Sequence, residues 1–422
     1  MLETFQSIWE KDSTSGGILM LSLRTIVLSL LIGMSSFSSS VFAATSNSRD
    51  QLFDNASMGS PLLGLIQNAK RTIDIEIYQM GDTQILSAIK SAVDRGVRVR
   101  VVQEANTVGA SCHVFDPVSA DDSDSCVTQK HLVPYIRNHG GAYAAFSADL
   151  CGTPGAHCFQ HGKMIIVDSS QVMMSTGNFN ASTLCDKRDS PATCNRDYSL
   201  LTQDLLVLLA VESVFQRDLI GKTYDVRTYL TGLLANRLTI SPYSLNPLLA
   251  FIRSARKTIQ IENQYLKDPD FNGALMDASK RGVKVFVMVA SLCSFGKPEE
   301  PKDHAKIQSW TDVFTAFDKA GIHTNIFTEK MSLNGLPGYL HAKVILVDGV
   351  RAWMGSVNGS STSLNENREF GLFTAEKQPV QLLSKFLYQD YVNPNAESWQ
   401  DSIVCKKDYG IASPSEDPPP GE

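Results

Sequence analysis

Leu65-Ile66-Gln67-Asn68-Ala69-Lys70-Arg71-Thr72-Ile73-Asp74-Ile75-Glu76 recurs 186 residues later as Phe251-Ile252-Arg253-Ser254-Ala255-Arg256-Lys257-Thr258-Ile259-Gln260-Ile261-Glu262. Arg95-Gly96-Val97-Arg98-Val99-Arg100-Val101-Val102 recurs in the same register as Arg281-Gly282-Val283-Lys284-Val285-Phe286-Val287-Met288. One offset held over the whole stretch marks a duplicated unit. In each copy an apolar-periodic helix runs into a β-branched alternation, as around Ile73 and Ile75. A second helix follows over about Thr83 to Asp94, Gly96 closes it, and Val97 to Val102 reads as a strand. Strands alternating with helices predict parallel sheet with helices on its faces. The expected fold is therefore α/β, with two pseudo-symmetric lobes, each a mostly parallel mixed sheet flanked by helices. The lobes are expected over residues 44–220 and 241–405, joined by a linker at 221–240. The tail, 406–422, ends in Ser, Pro and acid from Ser413 and is expected to be disordered.

Each copy carries chemistry at its far end. The first reads His161-Gly162-Lys163-Met164-Ile165-Ile166-Val167-Asp168 and the second His341-Ala342-Lys343-Val344-Ile345-Leu346-Val347-Asp348. Alternate residues of a strand share a face, so His and Lys two positions apart point into a common cleft. Ten residues beyond each Asp stands an Asn, Asn178 after Ser175-Thr176-Gly177 and Asn358 after Gly355-Ser356-Val357. An acid follows in a shared phrase, Asn195-Arg196-Asp197-Tyr198 and Asn367-Arg368-Glu369-Phe370.

The doubled His-x-Lys-x4-Asp motif, with its matched Asn and acid, resembles the phospholipase D superfamily over nearly the whole chain after the N-terminal segment. The layout is similar to bacterial secreted phospholipases D and to the cardiolipin-synthase-like branch. The resemblance implies one active site at the lobe interface, with no metal and no cofactor. A phosphodiester is anionic and repels oxygen nucleophiles, whereas a neutral imidazole can attack phosphorus and form a phosphohistidine. By resemblance His161 is the nucleophile. His341 is the acid that protonates the leaving alkoxide and the base that activates the next acceptor. Lys163 and Lys343, with Asn178 and Asn358, would stabilise the nonbridging oxygens, and Asp197 and Glu369 would each orient a His through its other ring nitrogen. Asp168 and Asp348 read as supporting members of the site. Two departures from the pattern stand in the first copy: Ser175-Thr176 where the second has Gly355-Ser356, and the shorter Asp197 where the second has Glu369.

Glu76 and Glu262 are matched as well, and either line the cleft or pair with a basic residue. His113, His131, His139, His157, His304 and His323 have no matched partner and read as structural. Asp121-Asp122-Ser123-Asp124 lacks the Gly and terminal Glu of a calcium loop and reads as a solvated turn.

The N-terminus has Arg24, then the apolar run Thr25 to Met34, then small residues up to Ala43-Ala44. That pattern predicts a secretory signal peptide over 1–43, with an uncleaved anchor as the alternative and Met20 as a possible start. The product would be secreted or periplasmic. Eight cysteines fit export, and six fall in near pairs: Cys112 with Cys126, Cys151 with Cys158, and Cys185 with Cys194.

The formal charge of −6 and the lack of a basic run interleaved with aromatics disfavour a nuclease, although net charge does not dictate the field in one cleft. The substrate expected is a phospholipid or membrane surface, hydrolysed or exchanged at its headgroup by a monomer. Nucleic acid is the alternative. A cardiolipin synthase proper is disfavoured, because that branch is membrane-integral and the apolar segment here reads as a signal. Phe295, Leu333, Leu336 and Tyr339 are candidates for an apolar rim at the cleft mouth.

Overall fold

The computed structural model describes residues 49–107, 112–151, 158–292, 300 and 303–404. The expected signal peptide, the tail, Cys293, Cys405, Phe295 and His157 lie outside the described residues. Among the described residues no helix is long and apolar enough to cross a membrane.

In the first lobe the strands are β1 (Asp50–Asp54), β2 (Thr72–Ile77), β3 (Arg98–Gln103), β4 (Ala142–Ala145), β5 (Lys163–Val167) and β6 (Gln171–Ser175), then the short β7 (Cys194–Arg196) and β8 (Tyr198–Thr202). The second lobe has β9 (Leu238–Ile240), β10 (Thr258–Asn263), β11 (Lys284–Ala290), β12 (His323–Phe327), β13 (Gly338–Leu340), β14 (Lys343–Val347), β15 (Arg351–Gly355), β16 (Phe370–Thr374) and β17 (Glu397–Ser398). The first sheet runs β1-β8-β6-β5-β2-β3-β4. The second runs β9-β16-β15-β14-β10-β11-β12 and adds β17 at its edge. The duplication in the sequence is thus a duplication of sheet order.

Among the described strands of the two large sheets, β2–β3–β4 and β10–β11–β12 are parallel and every other pairing is antiparallel. The expectation of a mostly parallel sheet holds for the helix-connected part of each repeat. It fails where β5 turns tightly into β6, and β14 into β15, because a short hairpin admits only antiparallel neighbours. The end of the expected linker, Leu238–Ile240, is not a connector: it pairs with β16 and closes the edge of the second sheet.

Local signals explain the repeat's helices. Asp82 caps Thr83–Asp94 by accepting from the N–H groups of Gln84 and Ile85, and Asp268 caps the matching Pro269–Lys280 through Phe271. Gly96 and Gly282 leave those helices at φ 83° and 89°, a region open to glycine at no steric cost. Strand β5 divides the core by alternation: Ile165 and Val167 pack in a core confined to the first lobe, while Met164 and Ile166 join a larger core continuous with the second lobe. That shared apolar layer fixes how the lobes face each other.

The six described cysteines form three disulfides, Cys112–Cys126, Cys151–Cys158 and Cys185–Cys194, each between sequence neighbours.

Candidate active site

The two motif histidines sit just before β5 and β14, where the chain runs against the opposite lobe. The His161 N–H donates to the Arg368 carbonyl at 2.9 Å, and the Arg368 N–H to the Phe159 carbonyl at 2.8 Å. In the other half β13 pairs in parallel with β7, and the His341 N–H reaches the Arg196 carbonyl at 3.3 Å. Each histidine therefore rides on backbone bonded to the Asn-Arg-acid phrase of the opposite repeat.

The side chains repeat this exchange. His341 Nδ1 is 3.0 and 3.2 Å from the two oxygens of Asp197. His161 Nδ1 lies 3.0 Å from Glu369 Oε2, close in distance though off the line of a good hydrogen bond. The shorter Asp197 still reaches its partner. Both histidines and both acids are buried, His161 the most open at 6% exposure.

Hydroxyls hold the acids in turn. Asp197 accepts from Thr176 Oγ1 at 2.6 Å and Thr183 Oγ1 at 3.2 Å. Glu369 accepts from Ser363 Oγ, and from Asn367 Nδ2 at 3.2 Å. Thr176, the departure in the first copy, thus serves the acid directly, whereas Ser356 bonds the Phe370 backbone. A Cβ at Gly177 would overlap the Asp197 carboxyl group. In the second copy the matching residue is Val357 and the acid is the longer Glu369.

Lys343 Nζ lies 2.9 Å from His341 Nε2 and 3.2 Å from the Thr176 carbonyl. An ammonium only donates, so Nε2 of His341 carries the lone pair and Nδ1–H faces Asp197. Lys163 Nζ donates to the His161 carbonyl at 2.8 Å and stands over the Tyr78 ring at 5.3 Å. No side chain among the described residues bonds His161 Nε2, and the Tyr78 ring packs edge-on against this imidazole at 4.9 Å. Burial, with help from Lys163, lowers the His161 pKa to about 4 against the pull of Glu369, so the imidazole is neutral. Burial pushes Glu369 up, but His161 and Lys163 more than offset it and the carboxyl stays ionised.

Asn358 Nδ2 donates to the Tyr265 hydroxyl at 3.0 Å, and Asn178 is fully buried. Asp168 and Asp348 stand apart from the cluster. Asp168 accepts from the N–H groups of Lys70, Arg71 and Thr72, and Asp348 from those of Arg256, Lys257 and Thr258. Both tie the β-hairpin turn to the start of the neighbouring strand.

Glu76 and Glu262 do not line an open cleft. Glu76 is buried with Gln160, Asp218 and Arg368, and Glu262 with Tyr198, Asp390 and Arg196. The expected apolar rim is not formed as expected either: Leu333 and Tyr339 are buried, the latter accepting from Gln264 at 3.0 Å, because β13 draws them into the lobe contact. Asp122 of the acidic turn binds Lys130 at 2.7 Å. Sequence reasoning missed Thr183, Ser363 and Tyr78. The two hydroxyls were findable, since each stands five residues beyond its Asn. Tyr78 was not, because Gln264 occupies the matching place.

The chain matches the family described as cardiolipin synthase, phospholipase D-like domain, over residues 62–219 and 248–391. A cardiolipin synthase of Clostridium perfringens is 23% identical over 393 residues, covering 86% of this chain and 71% of that one. A cardiolipin synthase of Listeria monocytogenes is 30% identical over 147 residues, 34% of this chain and 27% of the relative's length. In fold, the chain resembles a phosphatidylserine synthase of Haemophilus influenzae with TM-score 0.57 at 14% identity, over 83% of this chain and 87% of that one.

Proposed function

Since the chain belongs to the cardiolipin synthase, phospholipase D-like domain family, we propose that it transfers the phosphatidyl group of a phospholipid to an alcohol or to water through a phosphohistidine. The observation that carries this reading is the pair of crossed histidine–carboxylate contacts, His161 with Glu369 and His341 with Asp197. His161 Nε2 has a lone pair facing no protein donor and attacks phosphorus. For this step His341 enters as the imidazolium, its Nε2 having taken a proton from solvent while Nδ1–H stays on Asp197; the P–O bond to the headgroup then breaks, and its oxygen takes that Nε2 proton. His341, then neutral, removes a proton from the incoming alcohol or water, whose oxygen attacks phosphorus and releases His161. Lys343, already at His341 Nε2, is placed to favour the neutral form between the two steps, and the two ammonium groups offset charge on the nonbridging oxygens.

The relatives' names and the phosphatidylserine synthase fold support a phospholipid substrate. We propose export as well, supported by the signal-like N-terminus and by three disulfides that suit an oxidising compartment. The test is incubation of purified protein with phosphatidylglycerol or phosphatidylcholine vesicles, with and without glycerol, beside a parallel sample of plasmid DNA. Headgroup release or exchange that is lost in His161→Ala is expected. Nicking of DNA with intact lipids would overturn the lipid reading and leave the two-histidine chemistry standing. N-terminal sequencing of exported protein tests the location.

A further inference from the structure

Beside each orienting acid the sequence places an arginine, and both arginines are buried. Arg368 is wholly enclosed. Its Nε lies 2.8 Å from Asp218 Oδ2, and its remaining donors reach the carbonyls of Ser241 at 3.0 Å and Leu150 at 3.4 Å. Arg196 donates to Asp54 Oδ1 and to Asp390 Oδ1, both at 2.8 Å. Asp218 lies on the helix Leu205–Ile220 that follows the first sheet, and Asp390 on the matching helix Lys377–Tyr391 of the second. So Arg368 of the second repeat is anchored on the helix of the first lobe, and Arg196 of the first repeat spans from Asp54 on β1 of its own lobe to Asp390 on the helix of the second. Each anchor holds a second carboxyl from the repeat's first strand, Glu76 hydrogen-bonded to Asp218 and Glu262 to Asp390. Two carboxyls sharing a hydrogen bond hold one proton between them. One guanidinium then balances the remaining charge in the Glu76–Asp218 pair, whereas around Arg196 the Glu262–Asp390 pair is joined by a third carboxyl, Asp54. Burial, ahead of the neighbouring Asp, pushes Glu76 and Glu262 well up, which agrees with a shared proton in each carboxyl pair.

We propose that Arg196 and Arg368 are positioning residues that carry the adjoining acids, Asp197 and Glu369, across the lobe boundary and press each against the opposite repeat's histidine. Successive residues of an extended strand point opposite ways, so fixing the arginine by a planar fork of bonds fixes the direction of the acid that follows it. The carbonyl of the same arginine receives the histidine's N–H, so backbone and side chain are set by one residue. This deepens the two-histidine reading above and rests on it for its kinetic consequence. Asp197 and Lys343 are among the groups facing His341. Those facing His161 are Glu369, Lys163 and Lys343. In both cases the carboxylate favours the protonated imidazole and the ammonium opposes it.

The test is Arg196→Lys, which keeps the charge and loses the fork. In full-length protein with isotope-labelled histidine, the NMR titration of His341 is expected to move down by on the order of one pH unit as Asp197 drifts off it, while His161 titrates as before. Turnover of phosphatidylglycerol should fall on the order of tenfold in kcat with KM unchanged, and a nitrophenyl phosphodiester should be spared, because its leaving group needs no proton. Should Arg196→Lys fail to fold, Asp390→Asn loosens the same anchor and carries the same expectation. A folded variant of either kind in which His341 titrates as in the wild type overturns the proposal. The titration needs no substrate, so it answers even if the lipid reading fails.

Discussion

Asp197 of the first repeat lies 3.0 Å from Nδ1 of His341 in the second, and the reverse contact joins Glu369 to His161. Neither lobe alone therefore holds an oriented histidine. The candidate site is assembled because the repeats exchange their acids, and the shared apolar core that seats Met164 and Ile166 beside the second lobe's residues keeps that exchange in register.

Gly177→Ala tests the fit of the short acid. The new Cβ would meet the Asp197 carboxyl and the Thr183 methyl, so the acid must move away from His341. Turnover of a phospholipid is expected to fall on the order of 10²-fold, the usual scale for a misplaced acid–base group, with a nitrophenyl diester much less affected. Normal phospholipid kinetics in a folded Gly177→Ala protein would show that Asp197 has slack the geometry denies.

Much of this was legible in the sequence. The parallel three-strand segment and its helices were readable because they rest on local signals, Asp caps and closing glycines, repeated at one offset. The antiparallel half was not, since the pairing of β9 with β16 depends on contact between distant segments. Likewise the meeting of the two His-Lys pairs, His161 and Lys163 with His341 and Lys343, was readable from type and spacing. Which acid serves which histidine was not, because it follows from how two lobes face each other. Glu76 and Glu262 were visible as matched, to line the cleft or to pair with a basic residue, and the second reading is the one that holds, with Arg368 and Arg196 crossing over to meet them.

Asp168→Asn separates framework from chemistry. The wild-type carboxylate sits at φ 53°, and Asn keeps that backbone region accessible while weakening the three N–H contacts. A loss of about 1–2 kcal/mol in urea unfolding at pH 7 is expected, with kcat within about twofold. Burial raises the Asp168 pKa, but the N–H groups of Thr72, Lys70 and Arg71 lower it more. Its stabilisation is therefore complete above the ordinary carboxylate range and lost as pH falls through the lowered value, so the mutant and wild-type unfolding curves should converge in acid. A collapse of kcat without loss of stability would make Asp168 a reacting group.

The pH profile reports on His161. Burial holds its pKa near 4, whereas an unfolded imidazole titrates at about 6.5. Between those values the folded chain binds fewer protons than the unfolded one, so this residue costs stability as pH falls through that window. Activity should nevertheless persist: the acid limb of kcat/KM on a nitrophenyl diester, corrected for the folded fraction by circular dichroism, is expected near pH 4. A limb at the ordinary imidazole value would mean that the attacking histidine is solvated, contrary to its burial.

The division of labour between the histidines gives the sharpest separation. If His161 attacks, His161→Ala removes both turnover and the covalent intermediate, whatever the leaving group. His341→Ala should be nearly as inactive on a phospholipid, whose alkoxide must be protonated to depart, with a loss on the order of 10²–10⁴-fold. On a nitrophenyl diester it should still react once, because nitrophenolate leaves unaided. Phosphorylated enzyme then accumulates, since no base activates the acceptor. Lys163→Ala and Lys343→Ala should slow both substrates alike, because the charge they offset lies on oxygens common to both. Burst kinetics followed by mass spectrometry of the histidine peptides checks all four variants. An adduct on His341 in the His161→Ala protein would exchange the two roles while keeping the mechanism. Near-normal phospholipid turnover by either histidine variant would defeat the mechanism itself, because each imidazole is held by a carboxylate that has no second imidazole to serve.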